Sequence, residues 1–193
     1  MAEGSSHLSV QKREAVEVVA FSDRKILEEL SIREIEEELF ALVNASPAAD
    51  FVVPLLCLDA EAELACWRGE GVATRRLPLG DLLAGPGHTR REPAELLTAV
   101  HFDTPAADFH AAFCKSGPRP ALEIARVSLC LAGRLVDRRL TCVRLALGAV
   151  APTAIRCRRT EATIEGAVLD DTVLRLALEC LDSEIAPIDD VRS

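Results

Sequence analysis

Two short stretches place chemistry-bearing side chains at matching spacing: His101-Phe102-Asp103 and Asp108-Phe109-His110. If the strands that end and begin there pair through residues 104–107, His101 faces His110 and Asp103 faces Asp108 on one side of a hairpin. Two imidazoles and two carboxylates so arranged could hold a divalent metal. Acids at a hairpin mouth are ordinarily just solvated, and no metal site is assigned. A second signal is compositional: the chain has nineteen arginines but only three lysines, Lys12, Lys25 and Lys115. A lone lysine in an arginine-rich chain can mark a place that needs a compact point charge rather than a planar fork, although chance produces the same count. A third is the loop Asn44-Ala45-Ser46-Pro47-Ala48-Ala49-Asp50, which feeds the apolar run from Phe51 to Leu58. Ser or Asp caps a helix there and Pro suits its first turn; a helix start can also seat an anionic or hydroxyl-rich ligand.

The elements that must hold these groups follow from periodicity. Residues 62–68 and 71–77 form a hairpin across Gly69-Glu70-Gly71, residues 85–93 form a loop, and Leu96 to Phe102 and Phe109 to Lys115 are strands. Alternation over Val127, Leu129 and Leu131, and over Val143, Leu145 and Leu147, predicts antiparallel partners joined through residues 133–139. Thr160 and Gly166 bracket a short helix as cap and stop. The last helix begins near Asp170 or Asp171, with Val173, Leu174, Ala177, Leu178, Leu181 and Ile185 on its buried stripe. The first ten residues are small and polar and are expected to be loose, and residues 22–43 carry helical spacing, with Ser31 and Glu34 as a capping box. Strands followed by helices make an α+β layer.

With 193 residues, 49% apolar and 27% charged, the chain can bury a substantial core and is not disordered. A net charge of -9 opposes a nucleic-acid binder that works through bulk charge. No uncharged run approaches the roughly 18 to 20 apolar residues that span a bilayer, and the first residues lack the apolar block of a signal peptide. Seven cysteines without pairing or CxxC spacing read as reduced, buried thiols, and a cytoplasmic location is expected. GxSxG, Walker, HExxH and GxGxxG patterns do not occur, so no catalytic residue is assigned.

From Asn44 onward a set of segments follows in a fixed order: Asn44 to Asp50, Val53 to Leu58, Pro78 to Gly85 (PLGDLLAG) and Glu95 to Val100 (ELLTAV). Then come Ala112 to Lys115 (AFCK), Leu122 to Ala125, Leu147 to Thr153 (LGAVAPT) and Pro187 to Arg192. In this order the segments resemble the flavoprotein subunit of the molybdenum hydroxylases, the family of xanthine dehydrogenase and carbon monoxide dehydrogenase. The resemblance implies three parts. Residues 1–43 are a helical segment without family match, 44–103 a partial FAD-binding domain, and 104–193 the α+β C-terminal domain. That last domain is an antiparallel sheet with helices packed on one face, like the carbon monoxide dehydrogenase flavoprotein C-terminal domain. It implies a flavin carrier that relays electrons from iron-sulfur clusters to NAD or another acceptor, with a 2Fe-2S small subunit and a molybdopterin-binding large subunit as partners. Carried over position by position, Asp50 touches the flavin nucleotide, Asn44 and Ser46 support its loop, Leu97 gives an apolar contact, and Lys115 stands at the isoalloxazine edge. Where the family has a second glycine-rich phosphate loop, this chain has Leu39-Phe40-Ala41 preceded by Glu36-Glu37-Glu38, and Glu123 replaces the family's usual Asp. FAD binding is therefore expected to be weak or partner-dependent. The alternative is a non-catalytic assembly module that keeps the C-terminal fold.

Overall fold

The computed structural model describes residues 8–13, 16–21, 41–117 and 125–188. Strands β1 (Leu8–Arg13) and β2 (Val16–Phe21) are followed, after a helical turn at 41–43, by helix α1 (Val52–Cys57). Next come β3 (Glu61–Trp67), β4 (Val72–Pro78), helix α2 (Leu79–Leu82), β5 (Leu83–Gly85), β6 (His88–Thr89), β7 (Leu96–His101) and β8 (Phe109–Ser116). The long strands β9 (Val127–Val136) and β10 (Arg139–Gly148) lead to β11 (Ile155–Arg156), helix α3 (Arg158–Ile164) and helix α4 (Asp171–Asp182). Among the described residues the strands form a sheet in the order β1-β2-β8-β9-β10-β11, a sheet in the order β4-β3-β7, and the β5–β6 pair.

The two faces of the larger sheet are set by alternation. Along β9, Cys130 and Ala132 point one way, with Ala146 of β10, and join the main core with Val52, Val53, Leu56 and Cys57 of α1 and Ala62 and Leu64 of β3. Leu129 and Leu131 point the other way and meet Leu145, Leu147, Cys157, Leu181 and Ile185. Helices α3 and α4 therefore close one face, and α1 with the small sheet closes the other. Small residues at 130, 132 and 146 let α1 lie close to the strands, while burial of the branched side chains supplies the driving force.

The β3–β4 hairpin turns at Gly69, whose φ of 77° is left-handed and costs glycine little. Its tip pairs Trp67 with Val72, and both are exposed, at 69% and 66%. In β10 a bulge between Thr141 and Arg144 puts Cys142 at φ 54°. The N–H groups of Cys142 and Val143 are taken by the Glu165 carboxylate at 2.9 and 2.8 Å, which compensates the interrupted ladder.

Several expectations need correction. Strands β7 and β8 lie in different sheets, because β7 pairs with β3 and β8 with β9. His101 thus bonds Glu63 at 3.0 Å, His110 sits opposite Gly133, and Asp108 is held by Arg134. The four residues do not form a metal hairpin, and among the described residues no group of three or more His, Cys, Asp or Glu is placed to hold a metal. Residues 8–10, expected to be loose, belong to the strand Leu8–Arg13, and with Val16–Phe21 this puts two strands in the segment 1–43 expected to be helical. The 85–93 loop contains β6. Thr160 does not cap α3; the N-cap position is Cys157, and Glu184 accepts from the N–H groups of Arg159 and Thr160 at 3.0 and 2.8 Å. On α4 only Ala177 of the expected stripe is fully buried, while Leu174 and Leu178 are exposed. Asp170 does cap α4, accepting from Thr172 and Val173 N–H at 2.9 Å. The stretch 22–40, Glu123 and residues 189–193 lie outside the described residues.

Candidate functional site

The loop from Asn44 to Asp50 is built from its own backbone. After the helical turn at 41–43, Ser46 N–H returns to Ala41 O at 2.9 Å and Ala49 N–H to Ser46 O at 3.2 Å. Ala45 holds φ 47°, a left-handed value that an alanine side chain resists. External bonds keep it there: Ala45 O accepts from Gly87 N–H at 3.3 Å, and Pro47 O accepts from Ala149 N–H at 2.8 Å. Ala45, Pro47, Ala48 and Ala49 are buried, so the loop is packed into the core rather than draped over it.

Asp50 is not the helix cap that its position suggested. The N-cap of α1 is Phe51, without a side-chain capping bond. Instead the Asp50 carboxylate reaches across to the sheet, where Lys115 Nζ donates to Oδ2 at 2.8 Å. Asp50 and Lys115 are 65 positions apart. The pair is largely shielded, with side-chain exposures of 15% for Asp50 and 32% for Lys115. The second carboxylate oxygen, Oδ1, is buried and has no hydrogen-bond partner among the described residues. A buried carboxylate oxygen without a donor is costly, so this atom is ready to accept from an N–H or O–H group of a ligand.

Of the five residues singled out, Asp50 and Lys115 meet directly. Leu97, half-buried on β7, packs against the core cluster that contains Ala45, Ala49, Val52 and Val53. Ser46 is half-buried inside the loop, and Asn44 is exposed at its start. Sequence reasoning missed Ser128 and Gly148. Ser128 lies directly opposite both Lys115 on β8 and Gly148 on β10, is fully buried, and its hydroxyl has no partner among the described residues. Only Gly148 left a trace in the sequence, within the motif LGAVAPT.

The opposite end of α1 is closed by arginines. Arg144 Nη1 donates to Cys57 O at 3.0 Å and Arg156 Nη1 to Leu56 O at 2.8 Å, satisfying carbonyls that a helix terminus leaves open. Asp59 ties Arg144 at 2.6 Å, Arg156 at 2.8 Å and Arg158 at 3.3 Å, and Arg156 also grips Glu161 with both faces of its fork. Glu161 further accepts the Leu145 N–H at 2.7 Å. A similar knot holds β4 to the loop before β7. Buried Glu95 takes Arg75 through two bonds at 2.6 and 2.8 Å and the Glu92 N–H at 2.8 Å. The Arg75 guanidinium is the main reason its carboxyl lies well below the usual range, down to about 2. All seven cysteines are free. Hydrogen bonding to Cys130 and burial push the Cys57 thiol up, and burial pushes Cys157 up to about 12, so these thiols stay protonated and inert.

A cleft of about 620 Å³ opens beside β7, lined among others by Asp59, Glu61, Arg76, His101 and Asp103. It shares no lining residue with the Asp50–Lys115 pair.

Comparison with known proteins matches two successive stretches of the chain separately. Residues 41–105 match the model of the FAD binding domain in molybdopterin dehydrogenase, and residues 111–193 that of the CO dehydrogenase flavoprotein C-terminal domain. The chain is 32% identical over 147 residues to the xanthine dehydrogenase FAD-binding subunit of Escherichia coli O157:H7, covering 76% of this chain and 49% of that protein. It is 29% identical over 152 residues to the glyceraldehyde dehydrogenase medium chain of Sulfolobus acidocaldarius, covering 79% and 52%. The chain thus spans about half the length of the curated relatives it matches. Among solved structures, carbon monoxide dehydrogenase from Hydrogenophaga pseudoflava superposes with a TM-score of 0.73 at 18% identity, over 96% of this chain and 70% of that one. Reconstituted CO dehydrogenase from Oligotropha carboxidovorans does so with 0.73 at 21%, over 97% and 71%. At these identities the structural likeness establishes the fold.

Proposed function

Because the chain belongs to the FAD-binding subunits of the molybdenum hydroxylase family, we propose that it holds FAD against the Asp50–Lys115 pair within an oxidoreductase complex. The observation that carries this reading is the unpartnered Asp50 Oδ1 beside a fixed ammonium. The donor set fits a flavin, whose ring edge and ribityl chain offer N–H and O–H groups to a carboxylate and carbonyl oxygens to an ammonium.

When bound, FAD supplies two-electron and one-electron redox chemistry in one group. The residues of this chain position and tune it. Asp50 orients the cofactor through Oδ1 while Oδ2 keeps Lys115 in place. Lys115 would stand toward the ring edge and would favour the negative charge that a bound flavin takes up on reduction. Leu97 would offer the cofactor an apolar contact, and the loop of Asn44 and Ser46 would fix where Asp50 stands. Electrons would arrive from a 2Fe-2S subunit, reduced in turn at a molybdopterin-binding subunit, and leave to NAD or another acceptor. Seven free thiols favour a reducing compartment such as the cytoplasm, and among the described residues no helix is long and apolar enough to cross a membrane.

With Leu39-Phe40-Ala41 in place of a glycine-rich phosphate loop, charge-assisted hydrogen bonds worth about 1.5 to 3 kcal/mol each would be missing from the phosphate grip. The purified chain is therefore expected to be colourless and to take up FAD weakly on titration, followed by flavin fluorescence, and more tightly with its partner subunits. Lys115→Met is expected to weaken that uptake about tenfold, the size of one such bond. A wild-type chain that ignores FAD even with both partner subunits present overturns the reading. A second reading, an assembly module without flavin, is favoured by Leu39 and Phe40 in place of the glycine loop. It would show as complex formation without any flavin band.

A further inference from the structure

We infer that Gly148 is a positioning residue: its missing side chain sets how closely the Asp50 loop approaches Lys115. Its functional meaning rests on the flavin reading above, while its geometry stands independently. Lys115, Ser128 and Gly148 are register partners on three neighbouring strands, so they form one row on the face that α1 covers. The Asn44–Asp50 loop and the first turn of α1 rest on the end of that row. Pro47 O accepts from Ala149 N–H at 2.8 Å, and Val53 sits directly over Gly148.

A Cβ at position 148 would lie 2.4 Å from Ser128 Oγ, 2.8 Å from Val53 Cγ2 and 3.5 Å from Pro47 O. The first two separations are shorter than side chains tolerate. Ser128 and Val53 are both at 0% exposure, so neither can swing into solvent. The Ser128 hydroxyl has no hydrogen-bond partner among the described residues, so its rotation can relieve the first contact, whereas the Val53 methyl belongs to a stiff β-branched side chain that is fully buried and cannot turn away. The backbone at 148 is not left-handed, so an alanine would be refused for want of room rather than by its φ. With the strands fixed by their ladders, the element free to yield is α1 with its preceding loop. Asp50 stands three residues before Val53 on that same segment. Lifting it lengthens a bridge that is now 2.8 Å and withdraws Oδ1 from whatever it serves.

The test needs no cofactor. The chain has three lysines, so a chain labelled with ¹⁵N-lysine gives three Nζ resonances. Asp50→Asn identifies the Lys115 signal and its position when the bridge is broken. Gly148→Ala is expected to move the Lys115 resonance toward that position while the far-UV circular dichroism spectrum is retained. Adding Val53→Ala and Ser128→Ala to Gly148→Ala makes room for the new methyl and is expected to return the resonance toward wild type. A rescue of this kind separates positioning from general damage. A Gly148→Ala chain whose Lys115 resonance coincides with wild type, while Asp50→Asn shifts it, overturns the inference. If Gly148→Ala does not fold, the triple variant decides: a wild-type-like resonance supports the inference and a resonance at the Asp50→Asn position overturns it. FAD titration gives the second readout, with Gly148→Ala expected to weaken uptake about tenfold and the triple variant to recover it. If the resonances behave as expected and wild type takes up no FAD, the flavin reading falls and the positioning role stands.

Discussion

Helix α1 is held at both ends by charge, and the two ends differ in how fully those charges are used. At its C-terminal end, Asp59, Arg144, Arg156, Arg158 and Glu161 interlock with one another and with the carbonyls of Leu56 and Cys57. At its N-terminal side Lys115 bridges to Asp50, and one Asp50 carboxylate oxygen has nothing to accept among the described residues. Both ends fasten the same helix to the same sheet. A knot whose members satisfy one another makes architecture, whereas one that buries an unused acceptor has capacity for a visitor.

That contrast can be broken most severely at the closed end. Arg156→Ala leaves Glu161, whose side chain is 9% exposed, without the guanidinium that grips it. The expected loss is about 3 to 5 kcal/mol of stability, read by urea unfolding followed by circular dichroism. A loss below 1 kcal/mol would show that the network is not what anchors the helix. Intermediate in size is the acid response of the Glu95 knot, another closed set. Its folded carboxyl titrates at about 2 against an ordinary 4.5, so it contributes stability above pH 4.5 that is lost as pH falls toward 2. The melting temperature should drop across that window, and Glu95→Gln should remove part of the drop; an unchanged slope would place the acid sensitivity elsewhere. The smallest stability effect is expected at the open end. Lys115→Met should cost about 1 to 2 kcal/mol: the ammonium is one-third exposed, but the shielded Asp50 carboxylate loses its donor. Its effect should appear in flavin uptake instead, and a large unfolding effect without loss of uptake would reverse the assignment of the two ends.

Much of the architecture is legible in local pattern. The β3–β4 hairpin is announced by alternation around two glycines, and β9 with β10 by matching runs of branched residues, because these partners are neighbours in the chain. The sheet membership of β7 and β8 is not, since alternation shows that a segment is strand and says nothing about which strand it joins. The His101 and His110 hairpin failed for that reason. Glu184, which replaces the expected Thr160 cap, acts from 24 positions downstream, beyond any capping pattern. For the site, composition made Lys115 conspicuous and family resemblance joined it with Asp50, yet neither could show the empty oxygen or the crowding over Gly148. Those are properties of contact between distant segments and exist only once the chain is folded.

Trp67, at the exposed tip of the β3–β4 hairpin, is the single tryptophan of a chain that has no tyrosine. Near-ultraviolet emission from the whole molecule therefore originates at one solvent-facing ring. Denaturation will change its surroundings little, so emission makes a poor thermometer for the fold. Any subunit that settles on that hairpin, however, will announce itself as a shift toward the blue.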